Sequence, residues 1–133
     1  MSSELKVDTI SENTTSGTVQ LGNTVSEVVT AATSSSGTLT LDASVGGFFT
    51  VALSENVTTW TISNLPAGRA TVITVRFTQD SSDRTVVSTI NTVAAKTAGG
   101  AGWTMSTGSG AIDVVTVLYD GTNYYLIPQQ AWS

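Results

Sequence analysis

Ala111-Ile112-Asp113-Val114-Val115-Thr116-Val117-Leu118-Tyr119, then Asp120-Gly121-Thr122-Asn123, then Tyr124-Tyr125-Leu126-Ile127-Pro128, is the stretch that decides the fold. The first run is β-branched and apolar almost throughout, and the second is aromatic and aliphatic. An Asp-Gly pair between two such runs is a strong hairpin signal. Gly121 can take the positive φ that such a turn often needs. In a strand, Ile112, Val114, Thr116 and Leu118 share one face, and Asp113, Val115, Val117 and Tyr119 share the other. Both faces are largely apolar, which predicts a central strand covered on both sides.

Working outward, further strand-like runs follow one another. Thr38-Leu39-Thr40-Leu41 alternates cleanly, and Asp42–Gly47 reads as a turn. Phe48–Leu53 is a strand, and Val57–Ile62 another after the turn at Ser54-Glu55-Asn56. Asn64–Gly68 turns the chain into Ala70–Gln79, a long strand with Ile73, Val75 and Phe77 on one face. Asp80–Asp83 is a polar turn before Arg84–Ile90. Residues 91–110 hold Gly99, Gly100, Gly102, Gly108 and Gly110 and predict a long loop or two short edge strands. Short strands separated by turn signals predict an all-β fold, an antiparallel β-sandwich or jelly-roll-like domain, over residues 37–133. No internal repeat of fixed period stands out.

Ahead of this domain, residues 1–36 are thinner in apolar content and predict an extended N-terminal arm. Residues 1–10 read as a short strand, and Thr18–Leu21 is strand-like. Val25–Ala32 is either a helical turn or a strand, and Thr33–Gly37 is linker-like. The arm is too poor in apolar residues to form a core of its own. Its strand-like pieces are suited to adding to a neighbour's sheet, with Leu5, Val7 and Ile10 as anchors.

Composition narrows the function. Of 133 residues, 11% are charged, 40% are hydrophobic, and the net charge is −5. Five scattered basic residues do not make a phosphate-binding surface, so no nucleic-acid partner is expected. The chain has no histidine and no cysteine, which removes the commonest general base, the commonest metal ligand and any disulfide framework. Asp80 and Asp83 are hard-oxygen candidates for Ca²⁺, but Asp and Ser also turn the backbone locally, and the turn is the expected reading. No carboxylate pair for hydrolysis stands out, so no enzyme and no cofactor is expected. No run reaches transmembrane or signal-peptide length, so membrane insertion is not expected and synthesis in a cytoplasm is. Among the aromatics, Trp60 alternates with core residues and is expected inside. Trp103, Tyr124, Tyr125 and Trp132 are candidates for oligomer or glycan contact, with Tyr124 and Tyr125 on opposite faces of one strand.

Certain runs resemble the small β domains of tailed-bacteriophage virion proteins. They are Leu39–Ser44, Phe49–Leu53, Thr61–Gly68, Val75–Asp80, and the ending from Gly99-Gly100 through Trp103 and Ser106-Thr107 to Asp113–Thr122. The opening, Leu5–Ile10 followed by Thr15–Leu21, is similar to the starts of marine-phage fibre and appendage proteins. The resemblance implies a trimeric structural protein at the virion surface, attached by its N-terminal segment with the β domain outward. Its partners would be itself and other capsid or tail proteins, and host-surface glycan if it acts as an adhesin. The chain is short for a tail fibre and has no shaft repeats, which brings capsid decoration and a small tail part forward as roles. A chain so poor in charge also gains, independently of the resemblance, by burying apolar surface and strand edges between copies.

Overall fold

The computed structural model describes residues 6–7 and 22–132. Ten strands run in chain order: β1 Val29–Ala32, β2 Thr38–Asp42, β3 Phe48–Ala52, β4 Thr59–Ser63, β5 Thr71–Thr78, β6 Thr89–Ile90, β7 Val93–Ala94, β8 Lys96–Thr97, β9 Ile112–Tyr119 and β10 Tyr124–Trp132. They form two sheets, six-stranded in the order β1-β3-β5-β9-β10-β8 and four-stranded in the order β2-β4-β6-β7. β2, β3, β4, β5 and β9 each hide alternate residues, and the hidden rows of the two sheets meet in one core. The expected all-β sandwich is the fold.

Its strand directions differ from the expectation. From β1 to β6 the chain alternates between the sheets, so sheet neighbours run parallel: β1 with β3, β3 with β5, β2 with β4, β4 with β6. β8 is also parallel to β10. Only β5–β9, β9–β10 and β6–β7 are antiparallel. The first half is therefore a coil wound across two sheets, with an antiparallel hairpin added to one of them. The physical reason is simple. Turn residues mark where a chain reverses, but not whether it returns beside the last strand or crosses to the facing sheet. Parallel neighbours need a crossover, and here a strand of the other sheet provides it. Gly37 sits at one such corner with φ 76°, and its carbonyl accepts the N–H groups of Thr58 and Thr59 in the next winding. A Cβ there would come within 2.7 Å of Thr58 Oγ1.

Val25–Ala32, left open as helical turn or strand, contains β1. The sandwich thus takes in residues on the arm side of the expected boundary at 36. Residues 91–110 contain the two short edge strands β7 and β8, then a single 3₁₀ turn and a loop.

The core is Leu39 and Leu41 of β2, Phe49 and Val51 of β3, Trp60 and Ile62 of β4, Ile73, Val75 and Phe77 of β5, Ile90, Val115, Val117, Tyr124 and Leu126, with Trp103 and Met105 from the loop. Trp60 meets Phe77 edge to face at 5.7 Å across the two sheets, and Trp103 packs on both at 6.4 and 5.7 Å. Such aromatic pairs add about 0.5–1.5 kcal/mol each beyond the area they bury.

Two buried polar side chains fix the loops at that end. Gln79 donates through Nε2 to the carbonyls of Arg84 (2.7 Å) and Ser106 (3.0 Å) and accepts from Arg84 N–H at 2.8 Å. Asp113, fully buried, accepts from Ser106 N–H at 2.8 Å and Ala131 N–H at 3.1 Å. A buried carboxylate is tolerable only when backbone donors replace its lost water, and these do.

Candidate functional site

β9 is central, between β5 and β10, as its apolar faces predict. One face is core. The other is not covered: no described element lies over the outer face of the six-stranded sheet. Register places its side chains in cross-strand rows. Val72, Leu118, Tyr125 and Lys96 form one; Val29, Phe48, Thr74, Thr116 and Ile127 the next; Ala31, Thr50, Arg76, Val114 and Gln129 a third. The face is aliphatic, aromatic and threonine, with charge confined to Arg76 and, at the edge, Lys96. Val29, Val72 and Ile127 are 63%, 57% and 49% exposed, while Phe48, Val114, Leu118 and Tyr125 are half-buried by their neighbours. A contiguous apolar face of this kind marks an interaction surface, whereas scattered exposed apolar residues do not.

Toward β8 the face dips into a groove of about 650 Å³, walled by Leu118, Tyr125, Ile127, Pro128 and Lys96. Tyr125 is fixed there twice. Its hydroxyl donates to Asp120 Oδ2 at 3.0 Å, and Lys96 Nζ stands 5.5 Å from its ring centre. Asp120 organises the hairpin loop, accepting also from the N–H groups of Asn123 (2.6 Å) and Thr122 (2.9 Å). Those backbone donors, Asn123 first, hold its carboxyl down at about 2. The same carboxylate raises the Tyr125 hydroxyl above the usual tyrosine value. Gly121, at φ 98°, makes the turn.

The contact residues expected from sequence separate into two groups. Tyr125 lies on the outer face, and Trp132, 55% exposed, lies at the end of β10 opposite Ile112. Trp103 and Tyr124 are instead core residues, 8% and 5% exposed. Trp103 is drawn in by Trp60 and Phe77. Tyr124 takes the inward position that its neighbour leaves, stacks on Tyr119 at 4.9 Å, and accepts a hydrogen bond from Asn91 Nδ2 at 2.7 Å. Of the arm anchors, Val7 is exposed, and Leu5 and Ile10 lie outside the described residues. Sequence reading missed the contribution of Phe48, Val72 and Ile127, although their alternation with core residues was visible in each run.

Among the described residues the aspartates are occupied structurally. Asp42 binds Ser44 and Asn64, Asp80 binds Ser82 N–H and Arg84, and Asp83 accepts from Gly108 N–H. The Asp80–Asp83 segment is thus a turn whose two acids serve different partners. Among the described residues no group of three acidic, histidine or cysteine side chains converges as a metal site.

Compared with protein-family models, curated proteins and solved structures, the chain matches nothing in any of the three.

Proposed function

We propose that this chain is a non-enzymatic structural protein of a tailed-phage virion. It works as a homotrimer whose copies pack through the outer face of the six-stranded sheet, with the N-terminal residues attaching it to the capsid or tail. The observation that carries the assembly is the apolar, nearly charge-free outer face centred on β9. Burying a Val, Ile or Leu side chain fully contributes about 1.5–3 kcal/mol, and closing a ring of copies removes such faces from water together. The virion assignment rests on the resemblance of the strand and turn runs to phage β domains. A structural role is further supported by acids engaged in turns and loop clamps, together with the lack of histidine and cysteine.

Two experiments test the reading. An antibody raised against residues 22–132 should label the outside of intact particles, and its target should be present in purified virions. Absence from the particles would refute the virion role. For assembly, the mass in solution should be compared between the full chain and a version lacking residues 1–21. That cut keeps β1, which is part of the six-stranded sheet. A trimer in both places oligomerisation in the sandwich and leaves the N-terminal segment for attachment.

A further inference from the structure

The outer face of the six-stranded sheet has two unlike margins. At the β1 margin Val25, Val28 and Val29 are each more than half exposed. Glu27 is fixed among them. Its Oε2 accepts from Gly47 N–H at 3.1 Å, and a Cβ at Gly47 would come within 2.7 Å of that oxygen, so glycine lets the carboxylate lie against the backbone. At the opposite margin lies the groove of about 650 Å³ walled by Leu118, Tyr125, Ile127, Pro128 and Lys96. β8 pairs with β10 only at Tyr125 and Leu126, so no described strand lies on that side of Ile127 and Pro128. Pro128 has no N–H to offer a further strand. This margin therefore suits side-chain packing rather than extension of the sheet.

The two margins are opposite in charge and level with each other. Lys96 rests on the Tyr125 ring at 5.5 Å, and among the described residues no carboxylate stands within ion-pair distance of it. Asp120, beyond the Tyr125 hydroxyl, is taken up by Tyr125, Thr122 and Asn123. Val29 and Ile127 are the two ends of one cross-strand row, which passes through Thr74. Lys96 ends the neighbouring row, which passes through Val72. Val72 lies two residues before Thr74, as Glu27 lies two residues before Val29. Glu27 and Lys96 thus stand at one height along the strands, and Val29 and Ile127 at the next. Arg76, the other cation of the face, lies two rows from Glu27 and is not level with it.

A threefold ring cannot be built from self-matching contacts, so each copy must present one patch to a different patch of the next. Rotation about the axis adds no rise, and with the strands along the axis only groups at one height meet. From the unlike margins, their opposite charges and their shared heights, we infer that the β1 margin of each copy packs into the groove of the next. Val29 meets Ile127, and Glu27 pairs with Lys96. The inference rests on the trimer proposed above and names the two surfaces that close it. The contact is apolar at its centre with one ion pair at its rim, and such a pair sets orientation more than strength.

The chain has no cysteine, so engineered disulfides read the contact directly. Within one chain Val29 and Ile127 are four strand gaps apart, about 19 Å, beyond the reach of a disulfide. The mass of the wild-type full chain is read first by sedimentation equilibrium, and the variants are then oxidised mildly at the same concentration. Val29→Cys/Ile127→Cys should run as a covalent trimer on a non-reducing gel. Neither single variant should cross-link, nor should Val93→Cys/Ile127→Cys, since Val93 belongs to the other sheet. Lys96→Glu should raise the concentration for half assembly about tenfold, by setting like charges together. With a trimeric wild type, three results would each overturn the inference and leave the trimer standing: dimers from Val29→Cys alone, no Val29–Ile127 disulfide, or assembly unchanged by Lys96→Glu. A monomeric wild type would remove the trimer and the inference with it.

Discussion

Gln79 offers the most demanding test of how the loops are held. Its amide serves three backbone partners, two carbonyls and one N–H, from a position only 4% exposed. Gln79→Ala removes all three. At about 1 kcal/mol net for each hydrogen bond the loss is about 3 kcal/mol, with orphaned Arg84 and Ser106 groups as the main cause. Gln79→Glu keeps the shape and the bond from Arg84 N–H. However, it turns the donating nitrogen into an oxygen facing two carbonyl oxygens, those of Arg84 and Ser106. At neutral pH it should destabilise at least as much as alanine. Burial and the two carbonyls raise the pKa of the introduced carboxyl above its ordinary value of about 4.3, so acidification restores a donor and narrows the gap to wild type. Urea unfolding followed by tryptophan fluorescence measures both. With a slope of about 1.5 kcal/mol/M, Gln79→Ala should lower the midpoint by about 2 M. A shift below about 0.3 M, with a pH-independent deficit for Gln79→Glu, would refute the clamp.

Trp60→Ala should cost about 3–5 kcal/mol, since it empties the contact between the sheets; in the same unfolding assay Trp132→Ala should change stability by less than about 0.5 kcal/mol. Gly37→Ala should destabilise by more than about 1 kcal/mol, combining φ 76° with a Cβ 2.7 Å from Thr58 Oγ1; an unchanged midpoint would contradict the corner geometry. Asp120 has a folded value of about 2 against 3.8. A depressed carboxyl stabilises above its unfolded value and loses that contribution as pH falls through the folded one. The stability difference between wild type and Asp120→Asn should therefore shrink between about pH 4 and pH 2, and a constant difference would count against the loop network. In spectrophotometric titration, the most alkaline tyrosine of the wild type should move down in Asp120→Asn if it is Tyr125.

The terminal hairpin was legible because its signal is local. β-branched runs, an Asp-Gly turn and strict alternation each depend on adjacent residues, and β9 and β10 follow them. The inward row of β5, Ile73, Val75 and Phe77, was readable for the same reason. The parallel winding was not, because the Ser-Gly corner at Gly37 and the turn at Asn64–Gly68 resemble hairpin loops while carrying the chain to the facing sheet. Windings of unequal length hide the period as well. Val29 faces Phe48, but Phe48 faces Thr74, so no fixed repeat emerges from the letters. Asp113 already lay in the inward row with Val115 and Val117. Its role became visible only when Ser106 and Ala131, distant in sequence, arrived beside it. Trp103 was a surface candidate because its glycine-rich surroundings look like an open loop, yet that loop folds back over Trp60 and Phe77.

The central claim is that the outer face of the six-stranded sheet joins copies of this chain. Sedimentation equilibrium of the full chain beside its Val72→Asp/Ile127→Asp variant tests it most directly, because both side chains are solvent-exposed within one chain and folding of the single chain does not need them. The account predicts a trimer for the wild type and a folded monomer, with an unchanged β-type circular dichroism spectrum, for the variant. A wild-type monomer, or a trimer untouched by the two aspartates, would contradict it.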